Sequence, residues 1–121
     1  PEETLCPDGP LAAIRVAAMT ADEPLEDRLR AIPSYPIRRA SVDATEKRAI
    51  MADVESRVLE AYESVETLDG VRVDSDDGWF LIRASGTQPL IRLTAEARTE
   101  ARTDEFLDAA RELVESAISD R

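Results

Sequence analysis

The chain has no histidine, one cysteine and one lysine among its 121 residues. Without histidine there is no imidazole, so acid–base or metal-ligand chemistry built on that ring is excluded. The single thiol, Cys6, has no partner for an internal disulfide, and an oxidising compartment is not implied. Cys6 lies beside Pro7 and Asp8, with no basic neighbour to lower its pKa, so an inert thiol is expected. No apolar run approaches membrane-spanning length and no secretory signal is legible, which makes a cytoplasmic location the expectation. The first residue is Pro1 rather than methionine, which suggests a fragment or a processed product.

What is abundant is acid. Asp and Glu total 26 against 15 Lys and Arg, for a formal charge of −11. Such a surface repels phosphate backbones and anionic lipid, so neither nucleic acid nor a membrane is an expected partner. Every basic residue except Lys47 is an arginine. Acidic and lysine-poor together suggest adaptation to a salty cytoplasm, and a codon bias toward arginine is the plainer alternative. An apolar content of 43% marks a globular chain, of a size for one domain or one small domain and a piece of another.

Residues 8–32 read as two short helices, the first opening at Asp8-Gly9-Pro10 and the second at Asp22-Glu23-Pro24. "IPSYPIRR" follows as an extended linker. "RRASVDA" reads as a first strand, and Thr45 is placed to cap a helix carrying Ile50, Val54, Val58 and Tyr62. Strand-like pieces near 65–68, 71–74 and 79–84 are punctuated by the turn signals Asp69-Gly70 and Asp77-Gly78, and 90–97 forms another strand. A last helix is expected to start at Thr103, with its apolar face running from Phe106 to Ile118. The order implies an α+β fold: an antiparallel sheet with two helices on one face, preceded by two short helices.

One segment stands apart. In "IRASGTQPLIR", residues 82–92, two arginines flank a short loop of Ser85, Gly86 and Thr87. Matching the apolar faces of the flanking strands puts Ile82 near Leu93 and Phe80 near Ala95, which leaves Arg83 opposite Arg92. Like charges opposed across a ladder cost up to ~1 kcal/mol. A site for a doubly charged anion gives that arrangement a use, because guanidinium forks match phosphate oxygens. Ser85 and Thr87 add hydroxyls, and Gly86 lets backbone N–H groups approach. The plainer alternative is a hairpin loop whose arginines pair with nearby carboxylates. "DSDDG" at 74–78 is a turn rather than a calcium loop, since Ser85 stands where the bidentate glutamate belongs.

"RASGTQP" followed by "LIR" closely resembles the phosphate-binding loop R-x-S-G-T-E-P-x-x-R of the α-D-phosphohexomutases, a superfamily of phosphoglucomutases, phosphomannomutases and phosphoglucosamine mutases. Residues 38–121 resemble their fourth, C-terminal domain, whose fold is similar to the TATA-box-binding protein. Residues 1–37 resemble the closing helices of the third domain and a linker. The resemblance implies that Arg83, Ser85, Gly86, Thr87 and Arg92 contact the phosphate of a phosphorylated hexose. Gln88 departs from the pattern, which has glutamate there. For a full-length enzyme the resemblance implies interconversion of hexose 1- and 6-phosphates through a phosphoserine, with Mg2+ and a hexose 1,6-bisphosphate activator. The catalytic serine, the metal aspartates and the sugar-reading loop would belong to upstream mutase domains. These 121 residues are therefore expected to hold no catalytic residue and no metal, and to be inactive alone. A non-enzymatic metabolite-sensing module is the competing class.

Overall fold

A computed structural model describes residues 8–121, so Cys6 lies outside the described residues. The chain divides into two compact units, 1–34 and 35–121. In the first, α1 (Gly9–Asp22) begins where Asp8 accepts a hydrogen bond from the Leu11 N–H at 2.9 Å, with Pro10 in the first turn. Pro24 precedes α2 (Leu25–Arg30), whose Arg30 pairs with Glu26 and Asp27. Neither helix buries a residue, and Ile14, Met19, Leu29 and Ile32 are all exposed.

The second unit runs β1 (Ile37–Asp43), α3 (Lys47–Ala61), β2 (Val65–Glu66), β3 (Val71–Ser75), β4 (Gly78–Ala84), β5 (Leu90–Ala97) and α4 (Glu100–Ser119). The five strands form one antiparallel sheet in the order β1-β5-β4-β3-β2, with helices on one face. Strict alternation sets the faces. Phe80, Ile82, Ile91, Leu93 and Ala95 are fully buried, while Leu81, Arg83, Arg92 and Thr94 between them are not. From the helix side come Val54 and Val58 on α3 and Ala110, Val114 and Ala117 on α4, all fully buried. Phe80 sits between Tyr62 and Phe106, at ring-centroid distances of 5.6 and 6.3 Å. Each large side chain removed from water contributes about 1.5–3 kcal/mol. A one-residue slip of β4 against β5 would turn Phe80 and Ile82 outward together. That loss exceeds the ~1 kcal/mol of an arginine pair opposed across the ladder. Core burial therefore dictates the register, and Arg83 faces Arg92 as a consequence.

Local signals differ from the sequence expectation in four places. The last helix starts three residues before Thr103, at Glu100: Thr99 is its N-cap and accepts from the Arg102 N–H. Thr103 is fully buried in the first turn, with its hydroxyl within bonding distance of the Thr99 carbonyl (2.8 Å) and the Pro36 carbonyl (3.2 Å). That hydroxyl ties the helix to the entry of β1 rather than capping it. Thr45 does not cap α3 either; Glu46 occupies the N-cap position without a side-chain bond. The β3–β4 turn residues are Asp76 and Asp77, and Gly78 already pairs with Ser75. Gly78 is a packing glycine, since a Cβ there would lie 2.5 Å from the Glu96 carbonyl and 2.7 Å from Phe106. Finally, β2 stops at Glu66, and Leu68 lies exposed in the turn that follows.

Candidate anion-binding site

The β4–β5 loop closes on itself. The Ser85 N–H donates to the Leu90 carbonyl at 3.0 Å, and the Gln88 N–H donates to Ser85 Oγ at 3.3 Å. The loop carries no positive-φ residue, so its tightness comes from these bonds and from Pro89 rather than from left-handed backbone. Ser85 is buried, with 5% of its surface exposed. Gly86 is open: a Cβ added there would meet nothing within 4 Å. Nothing among the described residues requires a glycine at that position, and the space beside it is available to a ligand.

Arg83 at the end of β4 and Arg92 on β5 extend from the face opposite the helices. With Ser85, Gly86, Thr87, Ala84 and Asp69 they line one open concavity of about 350 Å3. All five residues singled out in the sequence thus meet at one place. Two further features were not legible there. Asp69, read only as a turn residue, is paired through Oδ2 with Arg83 Nη1 at 2.7 Å. Arg92 Nη2 donates to the Gln88 side-chain oxygen at 3.2 Å. The plainer reading of the loop therefore holds for Arg83, which has a carboxylate partner, whereas among the described residues the Arg92 side chain has a neutral amide. A larger concavity of about 550 Å3 lies between Ala44, Ile50, Pro89 and Ile118. Its cation, Arg121, already engages Glu46 and Asp53, and among the described residues no second cation lines it.

The Asp69–Arg83 pair is solvent-exposed, at 73% and 42% of the two side chains, so it contributes little to stability. It does place a negative charge beside an anion site. Asp69→Asn is expected to raise affinity for inorganic phosphate about threefold and to change stability by less than ~0.5 kcal/mol. Isothermal titration with a parallel thermal melt checks both. An unchanged or weaker affinity would mean that Asp69 orients Arg83 usefully instead of competing with the ligand.

No cluster of three or more histidine, cysteine, aspartate or glutamate side chains suited to a metal ion occurs among the described residues. Among the described residues Asp69 is the single carboxylate lining the concavity, and it is engaged by Arg83. The donor set therefore does not fit a magnesium ion.

An antiparallel sheet backed by helices on one face is a fold this chain shares with phosphomutase C-terminal domains. The sequence family described as phosphoglucomutase/phosphomannomutase, C-terminal domain, matches residues 38–113, and the chain belongs to that family. A probable phosphoglucosamine mutase of Methanopyrus kandleri is 47% identical over 123 residues, covering 95% of this chain and 27% of the relative. Another from Methanothermobacter thermautotrophicus is 38% identical over 125 residues, covering 98% and 28%. The chain thus spans about a quarter of the length of these relatives. Among solved structures, a phosphoglucomutase/phosphomannomutase family protein from Burkholderia thailandensis superposes with a TM-score of 0.61 at 25% identity, covering 75% of this chain and 19% of that one. The N-acetylphosphoglucosamine mutase of Aspergillus fumigatus, in complex with GlcNAc-6P and magnesium, shares the fold at TM-score 0.56 and 20% identity, covering 87% and 20%.

Proposed function

We propose that residues 38–121 are the substrate-phosphate-binding domain of a phosphohexomutase, with Arg83, Ser85, Gly86, Thr87 and Arg92 as the phosphate contacts. The observation that carries this reading is the convergence of those five residues on one concavity in a chain of charge −11. Guanidinium forks from two adjacent strands supply charge and paired donors, the hydroxyls of Ser85 and Thr87 add donors, and the open side of Gly86 leaves room for phosphate oxygens. What these residues do is hold and orient: they anchor the phosphate that is not reacting, so that the sugar's other end is presented to chemistry elsewhere. Residues 1–37 are read as the end of the preceding domain. Their exposed apolar side chains accord with cover by sequence outside this chain.

The names of these two relatives favour glucosamine phosphate as the substrate class. Mg2+ and a hexose 1,6-bisphosphate activator belong to the same reading of the full-length enzyme, with the metal held by residues outside this chain. No helix among the described residues is long and apolar enough to cross a membrane. A cytoplasmic setting, and a salty one in view of the single lysine and the acidic surface, completes the proposal.

The test is an NMR titration of the chain with inorganic phosphate and with glucosamine 6-phosphate. Amide signals of Gly86 and Thr87 are expected to move with both ligands and along the same direction, while those of Asp76 and Asp77 at the opposite sheet end stay still. Loop signals that do not respond at millimolar ligand would sink the reading.

A further inference from the structure

Lys47 does not line the concavity, yet it grips the loop that does. From the first turn of α3 its Nζ donates to the carbonyl oxygens of Ser85 at 2.5 Å and Gln88 at 2.7 Å. One ammonium therefore holds both ends of the Ser85–Gln88 segment. The neighbouring Ala44 N–H donates to the Pro89 carbonyl at 2.9 Å and seats the following residue as well.

The two bonds do different things. A trans peptide sets its C=O and N–H antiparallel, so a Ser85 carbonyl turned to Lys47 sends the Gly86 N–H the other way. Arg83 and Arg92 extend from the face opposite the helices, so a direction away from α3 leads to the side on which they line the concavity. At the other end, Pro89 has no N–H to aim, so the bond to the Gln88 carbonyl only anchors. The Ser85–Gly86 peptide adjoins a glycine, which adopts both halves of φ space readily, and a Cβ at Gly86 would meet nothing within 4 Å. A flipped peptide would present a carbonyl oxygen to the anion in place of a donor. Helix preference does not explain Lys47 either, because a cation in the first turn meets the positive end of the helix dipole. In a chain whose other basic residues are all arginines, the one lysine places its three-donor head within reach of two carbonyls.

We propose that Lys47 is a positioning residue for the anion site: it locks the Ser85–Gly86 peptide with its N–H toward the bound phosphate. The inference rests on the phosphate reading of the loop and assigns a role to a side chain that touches no ligand.

The test compares the full chain carrying Lys47, Lys47→Met and Lys47→Arg, with inorganic phosphate as the probe. The Gly86 amide signal is followed at low and high salt, and the methyls of Ile82 and Leu93 report the fold. Lys47→Met is expected to bind phosphate about tenfold more weakly, the effect of one charge-assisted bond. Its Gly86 amide is displaced or broadened before any ligand is added. The ratio to the parent chain persists at high salt, because an orientation is not screened as a remote charge is. Lys47→Arg, which can also donate to two carbonyls, recovers most of the affinity. If methionine at 47 unfolds the chain, Lys47→Gln takes its place: it reaches one carbonyl without charge and is expected to lose affinity with the same Gly86 signature. A Lys47→Met chain that binds as the parent does, with an unmoved Gly86 amide, overturns the proposal alone. So does a deficit that vanishes at high salt, which would make Lys47 a remote charge. A parent chain that ignores phosphate overturns the site reading and this inference together.

Discussion

Gly70→Ala is expected to destabilise the folded chain by about 2–4 kcal/mol. Gly70 holds φ at +92°, a conformation that costs an alanine strain by itself. Packing adds the larger part. A Cβ at that position would lie 2.4 Å from the Ile82 carbonyl oxygen, 3.0 Å from Arg83 Cβ and 3.1 Å from Arg83 Cα. Two of those atoms are backbone of β4, whose Ile82 is fully buried and paired to Val71 on one side and Leu93 on the other. The strand cannot retreat without opening the core, so the 67–70 turn must yield, and it carries Asp69 away from Arg83. Gly86→Ala is the control. Its added methyl meets nothing, so stability is expected to hold within ~0.5 kcal/mol, with any loss confined to binding. Urea denaturation separates the two glycines. Equal stability for Gly70→Ala and the parent chain would show that the turn is looser than its contacts imply.

The sheet was legible because alternation on β4 and β5 leaves one register that buries Phe80, Ile82, Leu93 and Ala95 together, and the Arg83–Arg92 juxtaposition follows from it. Helix starts were less legible. "TEARTDE" offers two threonines four residues apart, and local pattern does not say that Thr103 finds a tertiary partner in the Pro36 carbonyl while Thr99 caps. The loop motif identified the arginines and hydroxyls. It did not identify Asp69 or Lys47, because their roles come from contacts across 14 and 38 residues of sequence. For Lys47 a signal was present in its being the single lysine, but composition cannot say which carbonyls an ammonium will find. Gln88 was marked as a departure from the family loop, and its partner, Arg92, shows what the amide does: it accepts one bond without neutralising the guanidinium.

That difference between the two arginines shapes the largest expected effect on binding. Arg83→Ala and Arg92→Ala are each expected to lower phosphate affinity about 10- to 100-fold, and the double variant to abolish measurable binding. Arg92 is the more available of the pair. A 3.2 Å bond to a neutral amide is its one side-chain hydrogen bond among the described residues, so a phosphate gains its fork at little cost. Arg83 uses Nη1 on Asp69, and either shares its remaining donors with the ligand or leaves the carboxylate. Arg92→Ala is therefore expected to show the greater loss, and Asp69→Asn with Arg92→Ala to recover part of it through a freed Arg83. Stability should move the other way. The two guanidinium groups face each other across the β4–β5 ladder, and removing either one relieves repulsion of up to ~1 kcal/mol while giving up only exposed bonds. Melting temperature unchanged or slightly raised, with binding lost, is a pattern that structural arginines do not produce. If instead either alanine variant melts well below the parent chain and still binds phosphate, the arginines serve the sheet, and the concavity between them is not the site.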